Sequence, residues 1–352
     1  MKTISLRDML RQVKRDLIGK DSYRGVTLTY TWLANQFGHF SLGFIPTYFI
    51  YFFLKPHYNL SSASVYAALI ISTGWLLFET YNFLGPLLLE RKQGANNAVA
   101  RNTRAEYSFT PPWANIAFDT ITDISFFWTG AFSSSLLLYY SDIKLIILLL
   151  LVCLLAYPSY YWYLTKMYIQ QAIYPYQFRL SQWDKSISYQ NKIRICQFLE
   201  NPNRGNHLLV FGAKHSGPDS LCIGIGTERA IKHQSCSYIT AMKLFGLLNE
   251  DYESGDDNHT LWNWRSSSVL IIDDIHPANP GEDEIITPHQ FLRFITNSEH
   301  CNENLKAIKE KDVVWVMGAP GTEKTLSNWQ GLFETIGVQK EKITSINLME
   351  VD

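Results

Sequence analysis

The sequence has little that would draw it to nucleic acid: 31 Lys and Arg stand against 32 Asp and Glu, a formal net charge of −1, and no basic run stands out beyond the first 24 residues. Cysteine is scarce. The 5 present, Cys153, Cys196, Cys222, Cys236 and Cys301, form no C-x-x-C pair and have no nearby His at zinc spacing, which supports neither a disulfide framework nor a structural metal and reads as reduced thiols. The first apolar run begins only after about 25 polar and charged residues, which predicts no cleavable signal peptide.

What is abundant is apolar sequence, confined to one half. The near-neutral mean hydropathy averages a very apolar first half with a polar second half, and the length leaves room for two domains. Four apolar runs, Trp32 to Leu54, Val65 to Leu89, Ala114 to Tyr139 and Leu145 to Leu164, each approach the about 20 residues that cross a bilayer core as a helix. The expected division is a basic amphipathic segment over 1–30, a four-helix transmembrane domain over 31–166, an amphipathic linker helix over 167–205 and a cytosolic domain over 206–352.

Basic residues set the orientation. Lys2, Arg7, Arg11, Lys14, Arg15, Lys20 and Arg24 precede the first run, and Arg91, Lys92, Arg101 and Arg104 fill the second connection. The first connection has only Lys55 and the third only Lys144. This bias predicts a multi-pass inner-membrane protein with both termini in the cytoplasm. Ile4, Leu6, Leu10, Val13 and Leu17 among the first cations read as an amphipathic helix on the inner surface.

Ionisable groups are costly in hydrocarbon and mark functional or network-forming positions. His39, Glu79, Asp119 and Asp123 all fall in the inner half of the bilayer at 1.5 Å per residue, and Asn115, Asp119 and Asp123 share one helix side. One His and three carboxylates can hold a divalent cation, exchange protons as acid and base, or relay them. They can equally form a hydrogen-bonded network that holds the bundle together. Gly38, Gly43, Gly74 and Gly130 would let helices approach closely. The stretches A-N-Q-F-G-H-F-S-L-G at 34–43, L-L-F-E-T-Y-N-F around Glu79 and F-D-T-I-T-D-I-S-F-F-W-T-G at 118–130 resemble the His, Glu and D-x-x-x-D stations of the VanZ-like membrane family. Asn82 stands where that family has Gln.

After the fourth run, Tyr161 to Tyr176 is crowded with aromatic residues of the kind that anchor a helix end at an interface. Phe178 to Leu199 carries apolar residues at three- and four-residue spacing, which predicts one amphipathic helix, and Pro202 with Gly205 predicts a closing turn.

His207 to Phe211 reads as a strand leading into G-A-K-H-S-G-P-D-S at 212–220. Against the phosphate-cradling pattern G-x-x-x-x-G-K-[ST], Gly212 and Gly217 are in place, but Pro218 replaces the lysine and Asp219 the Mg²⁺-binding hydroxyl; Lys214 and Ser220 are the nearest substitutes. The strand S-V-L-I-I-D-D-I-H-P at 268–277 fits the second nucleotide motif, in which Asp273 would hold Mg²⁺ through water and Asp274 would polarise the attacking water. Strands are further expected at Val313 to Met317 and Lys342 to Leu348, and the alternation predicts a parallel sheet covered on both faces. G-A-P-G-T-E-K-T at 318–325 also approaches a phosphate loop, but too little chain follows it for a nucleotide domain, so it reads as the loop after the Val313 to Met317 strand.

The order of these pieces resembles the AAA-type and STAND-type branch of P-loop NTPases with a degenerate phosphate loop. That resemblance implies ATP and Mg²⁺ as ligands and assembly as a homo-oligomer or with a partner protein. With the lysine missing, ATP hydrolysis is not expected, and no arginine among Arg229, Arg265 and Arg293 is assigned as a finger. The sequence therefore predicts an α-helical four-span membrane bundle, set in the lipid bilayer, followed by an α/β P-loop-type domain with a parallel sheet. Its role would be that of a nucleotide-responsive or scaffolding module. The alternative is a membrane enzyme or an ion or proton path through His39, Glu79, Asp119 and Asp123, regulated by the cytosolic half.

Overall fold

A computed structural model describes residues 3–18, 26–95, 109–202, 204–250, 261–276, 284–318 and 322–349, without the side chains of 86–95 and of Lys214. Lys2, Lys20, Arg24, Arg101, Arg104 and residues 319–321 of the 318–325 loop thus lie outside the described residues, as do the side chains of Arg91 and Lys92. The chain divides into two compact units: Arg7–Arg104 with Pro111–Leu164, and Met1–Leu6, Ala105–Thr110 and Thr165–Asp352.

The first unit is helical. After the amphipathic α1 (Leu6–Leu17) come α2 (Leu28–Leu54), α3 (Leu60–Ala95), α4 (Trp113–Leu138) and α5 (Asp142–Gln171). Three helices are long and apolar enough to cross a membrane: Leu28–Leu54, Leu60–Gly85 and Asp142–Gln171. The third expected run, α4, is 26 residues long but is not among them. Its surface explains this: α4 turns Thr122, Ser125, Thr129, Ser134 and Ser135 inward. The hydroxyls of Thr122, Ser125 and Thr129 donate to the carbonyl four residues back, which lets polar residues sit in a helix interior without unpaired groups. A helix shielded by its neighbours does not need the apolar surface that lipid demands.

Two indoles brace this unit, Trp75 Nε1 donating to the Leu42 carbonyl at 2.9 Å and Trp128 Nε1 to that of Ser72 at 3.1 Å. Lys144 is not a free loop cation. It is buried within the first turn of α5, where its ammonium donates to Ser64 Oγ at 2.6 Å and to the Tyr139 carbonyl at 2.8 Å, closing the carboxyl end of α4 as a helix terminus requires. Nor are all the aromatics after the fourth run interface anchors, for Tyr163 and Tyr168 are buried in protein, 4% and 2% exposed.

The second unit carries five strands, β1 (His207–Phe211), β2 (Cys236–Thr240), β3 (Val269–Asp273), β4 (Asp312–Val316) and β5 (Ile343–Asn347), all parallel in the order β2-β3-β4-β1-β5. Four were expected; β2, C-S-Y-I-T, was not, because it mixes polar with apolar residues and only Cys236 and Ile239 of it are buried. Successive residues of a strand face opposite sides, so Leu208, Val210, Ile271, Val314 and Val316 meet α6 (Tyr189–Glu200) and α7 (Pro218–Ile231) on one face. Leu209, Phe211, Leu270, Ile272 and Trp315 meet α8 (Ala241–Leu247), α9 (Pro288–Thr296), α10 (Cys301–Glu310) and α11 (Glu323–Ile336) on the other.

The linker is not one helix. Leu180 and Trp183 bury into the α6–α7 face, which holds residues 178–187 in a single 3-10 turn and extended chain. The helix starts only where Ser188 accepts the Asn191 N–H at 3.3 Å, in the manner of an N-cap.

Candidate functional site

Two places bring the expected residues together, one in each unit. In the second, the carboxyl ends of β1, β3 and β4 meet at one edge of the sheet. The β1–α7–β2 crossover passes β4 and β3 in one direction, and the later connections run back in the other, over the opposite face. In open α/β sheets a ligand crevice lies outside the carboxyl ends at such a reversal. Gly212 follows β1 there and Asp273 ends β3.

The loop at this edge is folded on itself. Residues 214–216 form a 3-10 turn in which the Ala213 carbonyl accepts both the Ser216 N–H at 2.9 Å and the Ser216 hydroxyl at 2.7 Å. A Cβ on Gly212 would lie 2.5 Å from Ser216 Oγ, so a side chain there would displace the serine hydroxyl from the turn. Gly217 takes a left-handed φ of 71° and Pro218 begins α7, as a rigid first-turn residue without an N–H does well. The Gly217 carbonyl then accepts the Ser220 hydroxyl at 3.0 Å and the indole N–H of Trp183 at 3.2 Å. Ser220 therefore spends its proton inside the loop. The side chain of Lys214 lies outside the described residues.

Asp273 is buried and Asp274 exposed. The Tyr238 hydroxyl, from the middle of β2, donates to Asp273 Oδ2, and the Asp274 N–H donates to Oδ1 at 2.7 Å, with Asp274 in the left-handed region at φ 56°. Burial pushes the Asp273 carboxyl up and the Tyr238 bond offsets part of that; burial, then the bond to Asp273, pushes the Tyr238 phenol up. Tyr176 is raised by burial and then by the Asp219 and Asp273 carboxylates, with Ser220 offsetting part of that. Trp183, Tyr176 and Tyr238 are the site residues that motif reading missed. Tyr238 belongs to the strand that was not expected, and the other two stand in the segment read as linker.

Arg229 is remote from this edge. Its guanidinium is fully buried against Asp312, the first residue of β4, at 2.7 Å, which places it toward the amino end of the sheet. Arg265 donates to the Leu247 and Leu248 carbonyls at the end of α8.

No family model matches this chain, and a search of the curated proteins finds no match.

In the first unit, His39 Nε2 lies 3.4 Å from Asp123 Oδ1, both side chains about one-fifth exposed, at 21% and 23%. The His39 and Phe127 rings lie perpendicular at 4.9 Å between centroids, and Phe127 stacks on Trp75 at 4.1 Å. His39 Nδ1 is buried with no hydrogen-bond partner among the described residues. Glu79 and Asp119 are within electrostatic reach of both His39 and Asp123. The four residues thus share one neighbourhood, in which His39 and Asp123 are in direct contact. Among the described residues no three of His, Cys, Asp or Glu converge closely enough to hold a metal ion.

Proposed function

We propose that the chain is an inner-membrane protein crossing the bilayer four times with both termini in the cytoplasm, and that its α/β half is a P-loop-type domain. That domain responds to a nucleotide, or scaffolds a partner, without turning ATP over. The observation that carries this is the β1–α7 loop. Its two glycines stand at the carboxyl edge, at the reversal of the strand order, beside the acid that ends β3. That arrangement favours a phosphate ligand, with ATP and Mg²⁺ as the cofactors it would take and Asp273 as the metal-side acid.

The same loop argues against catalysis. Phosphoryl transfer depends on positioning and on cationic stabilisation of the developing charge. Pro218 brings neither an ammonium nor an N–H, Asp219 adds a repelling carboxylate, and the Ser216 N–H and the Ser220 proton are spent within the turn. A fourth span through α4 is supported by its 26 residues, about 39 Å at 1.5 Å each, and by the inward turn of its hydroxyls.

The test is nucleotide binding and turnover by the full chain in detergent. ATP hydrolysis at background, with a gain in Mg-ATP affinity on Pro218→Lys with Asp219→Thr, is the expected result, because the change restores a charge and removes a repulsive one. Robust turnover abolished by Asp274→Ala would overturn it. For the topology, a cysteine at His57 labels from outside the cell and one at Asn96, which lies outside the described residues, does not.

A second reading rests on the His39–Asp123 contact: the bundle itself is an enzyme or an ion or proton path, with Glu79 and Asp119 as the further acids. Loss of the cellular phenotype on His39→Ala or Asp119→Asn, with the cytosolic variants silent, would favour it.

A further inference from the structure

Helix α1 is built inside out for water. At 100° per residue, Met9, Gln12 and Asp16 fall on one side of it, and these are its buried residues. The next sector holds Leu6, Leu10, Val13 and Leu17, and Leu6, Leu10 and Leu17 are 58%, 61% and 42% exposed. Beyond them come Lys14, Arg7 and Arg11, all exposed, with Ile18 between them at 61%. Two polar side chains are thus buried while an apolar stripe and a row of cations face outward.

The buried polar pair has a purpose. Both Asp16 oxygens accept from Gln12 Nε2, at 2.9 and 3.0 Å. Asp16 Oδ2 also accepts the Thr29 N–H at 3.2 Å and the Thr29 hydroxyl at 2.8 Å, and Thr29 in turn bonds the Tyr163 hydroxyl at 2.8 Å. Thr29 is the second residue of α2, so Asp16 satisfies one of the open N–H groups of that helix's first turn, where a carboxylate also meets the positive end of the dipole. The latch holds the carboxyl end of α1 at the mouth of an apolar helix that is long enough to cross a membrane.

From this we infer that α1 is a docking surface for an anionic lipid leaflet. Leu6, Leu10 and Leu17 would enter the acyl boundary, and Arg7, Arg11 and Lys14 would meet lipid phosphates at headgroup level. An exposed apolar stripe flanked by cations is what an interfacial helix requires, and continuity with α2 through the Asp16–Thr29 bonds puts the stripe at the depth where the bilayer begins. The inference rests on the membrane-spanning assignment of α2. It adds the chemistry of the partner: each cation near a negatively charged leaflet is worth about a fivefold preference, so the three together favour anionic over neutral lipid about a hundredfold.

The test uses the full chain with Cys153, Cys196 and Cys301 changed to Ser, leaving the fully buried Cys222 and Cys236, and an environment-sensitive dye on Leu10→Cys. The protein is placed in bilayer discs of phosphatidylcholine with or without phosphatidylglycerol. The expected result is a blue shift of the dye in the anionic discs that high salt reverses. Arg7→Gln with Arg11→Gln and Lys14→Gln should abolish it, and Arg7→Lys with Arg11→Lys and Lys14→Arg should preserve it. Inorganic phosphate added to neutral discs should leave the dye unshifted. A water-exposed dye in both discs, or an apolar signal that ignores lipid charge and all the charge variants, would overturn the inference. Release of the unlabelled chain from membranes by alkaline carbonate would instead overturn the spanning assignment on which it stands.

Discussion

Gly43 of α2 and Gly130 of α4 approach each other's helix so closely that a Cβ on either would lie 2.0 Å from a backbone oxygen of the other, that of Phe127 and of Phe40 respectively. No side chain can be accommodated there unless the helices part, and overpacking of this kind costs about 3 kcal/mol or more. At Gly38, Gly74 and Gly85 an added Cβ would have nothing within 4 Å. Gly43→Ala and Gly130→Ala should therefore each lower the melting temperature of the detergent-solubilised protein by several degrees, while Gly38→Ala, Gly74→Ala and Gly85→Ala leave it unchanged or raise it. Equal effects at all five positions would disprove the close crossing.

Much of this bundle was legible as sequence. Apolar length marks α2, α3 and α5 because lipid imposes one rule on every outward residue. The small residues at Gly43 and Gly130 were legible as permissive, but which helices they would join was not, since close approach is a property of pairs. In the sheet, β1, β3 and β4 announced themselves as apolar runs buried on both faces, and β5 was expected as the last strand although only its Ile346 is buried. The edge strand β2 did not, because its Ser237, Tyr238 and Thr240 are only half-buried. Missing β2 meant missing Tyr238, and with it the proton donor that occupies Asp273. The glycines of the β1–α7 loop were visible in order, yet its closure by Trp183 came from a segment whose periodicity suggested a helix.

The His39–Asp123 contact, 3.4 Å between Nε2 and Oδ1, predicts energetic coupling rather than mere proximity. In a cycle of His39→Ala, Asp123→Asn and the double variant, the double should cost less than the two singles together by about 1 kcal/mol, as residues sharing a contact do. Thermal unfolding in detergent measures it. Strictly additive effects would show that the two side chains do not interact.

His207, the first residue of β1, is fully buried, and its Nδ1 accepts the Trp315 indole N–H at 3.1 Å. Burial pushes its pKa down from 6.5 to about 3, so the ring stays neutral in the fold while the unfolded chain protonates near its ordinary value. Between those two values the unfolded state binds the extra proton. Its contribution is thus intact above pH 6.5 and falls as pH drops toward 3, by about tenfold in the folding equilibrium per pH unit. His207→Gln keeps an acceptor for Trp315 and removes the titration. Denaturation of the full chain at pH 7 and pH 5 should show a shallower loss of stability for the variant. Parallel losses would mean His207 titrates normally.

The Arg229–Asp312 pair has both side chains 0% exposed, and each partner is committed further. Arg229 donates to the Phe198 carbonyl at 2.8 Å and to Gln234 Oε1 at 2.9 Å, while Asp312 accepts the N–H groups of Arg204 and Asn206 at 3.1 and 3.0 Å. The pair thereby ties the ends of α6 and α7 and the turn after α6 to the start of β4. A buried pair contributes little net attraction, since desolvation offsets the Coulomb gain, but stranding one charge costs about 3–5 kcal/mol. Arg229→Met and Asp312→Leu alone should each destabilise the protein by that amount in denaturant unfolding followed by tryptophan fluorescence. The double variant, which leaves no buried charge, should recover a large part of either loss. If the double change instead costs the sum of the two, the stranded-charge argument fails, and the backbone groups that the pair serves must be what the fold depends on.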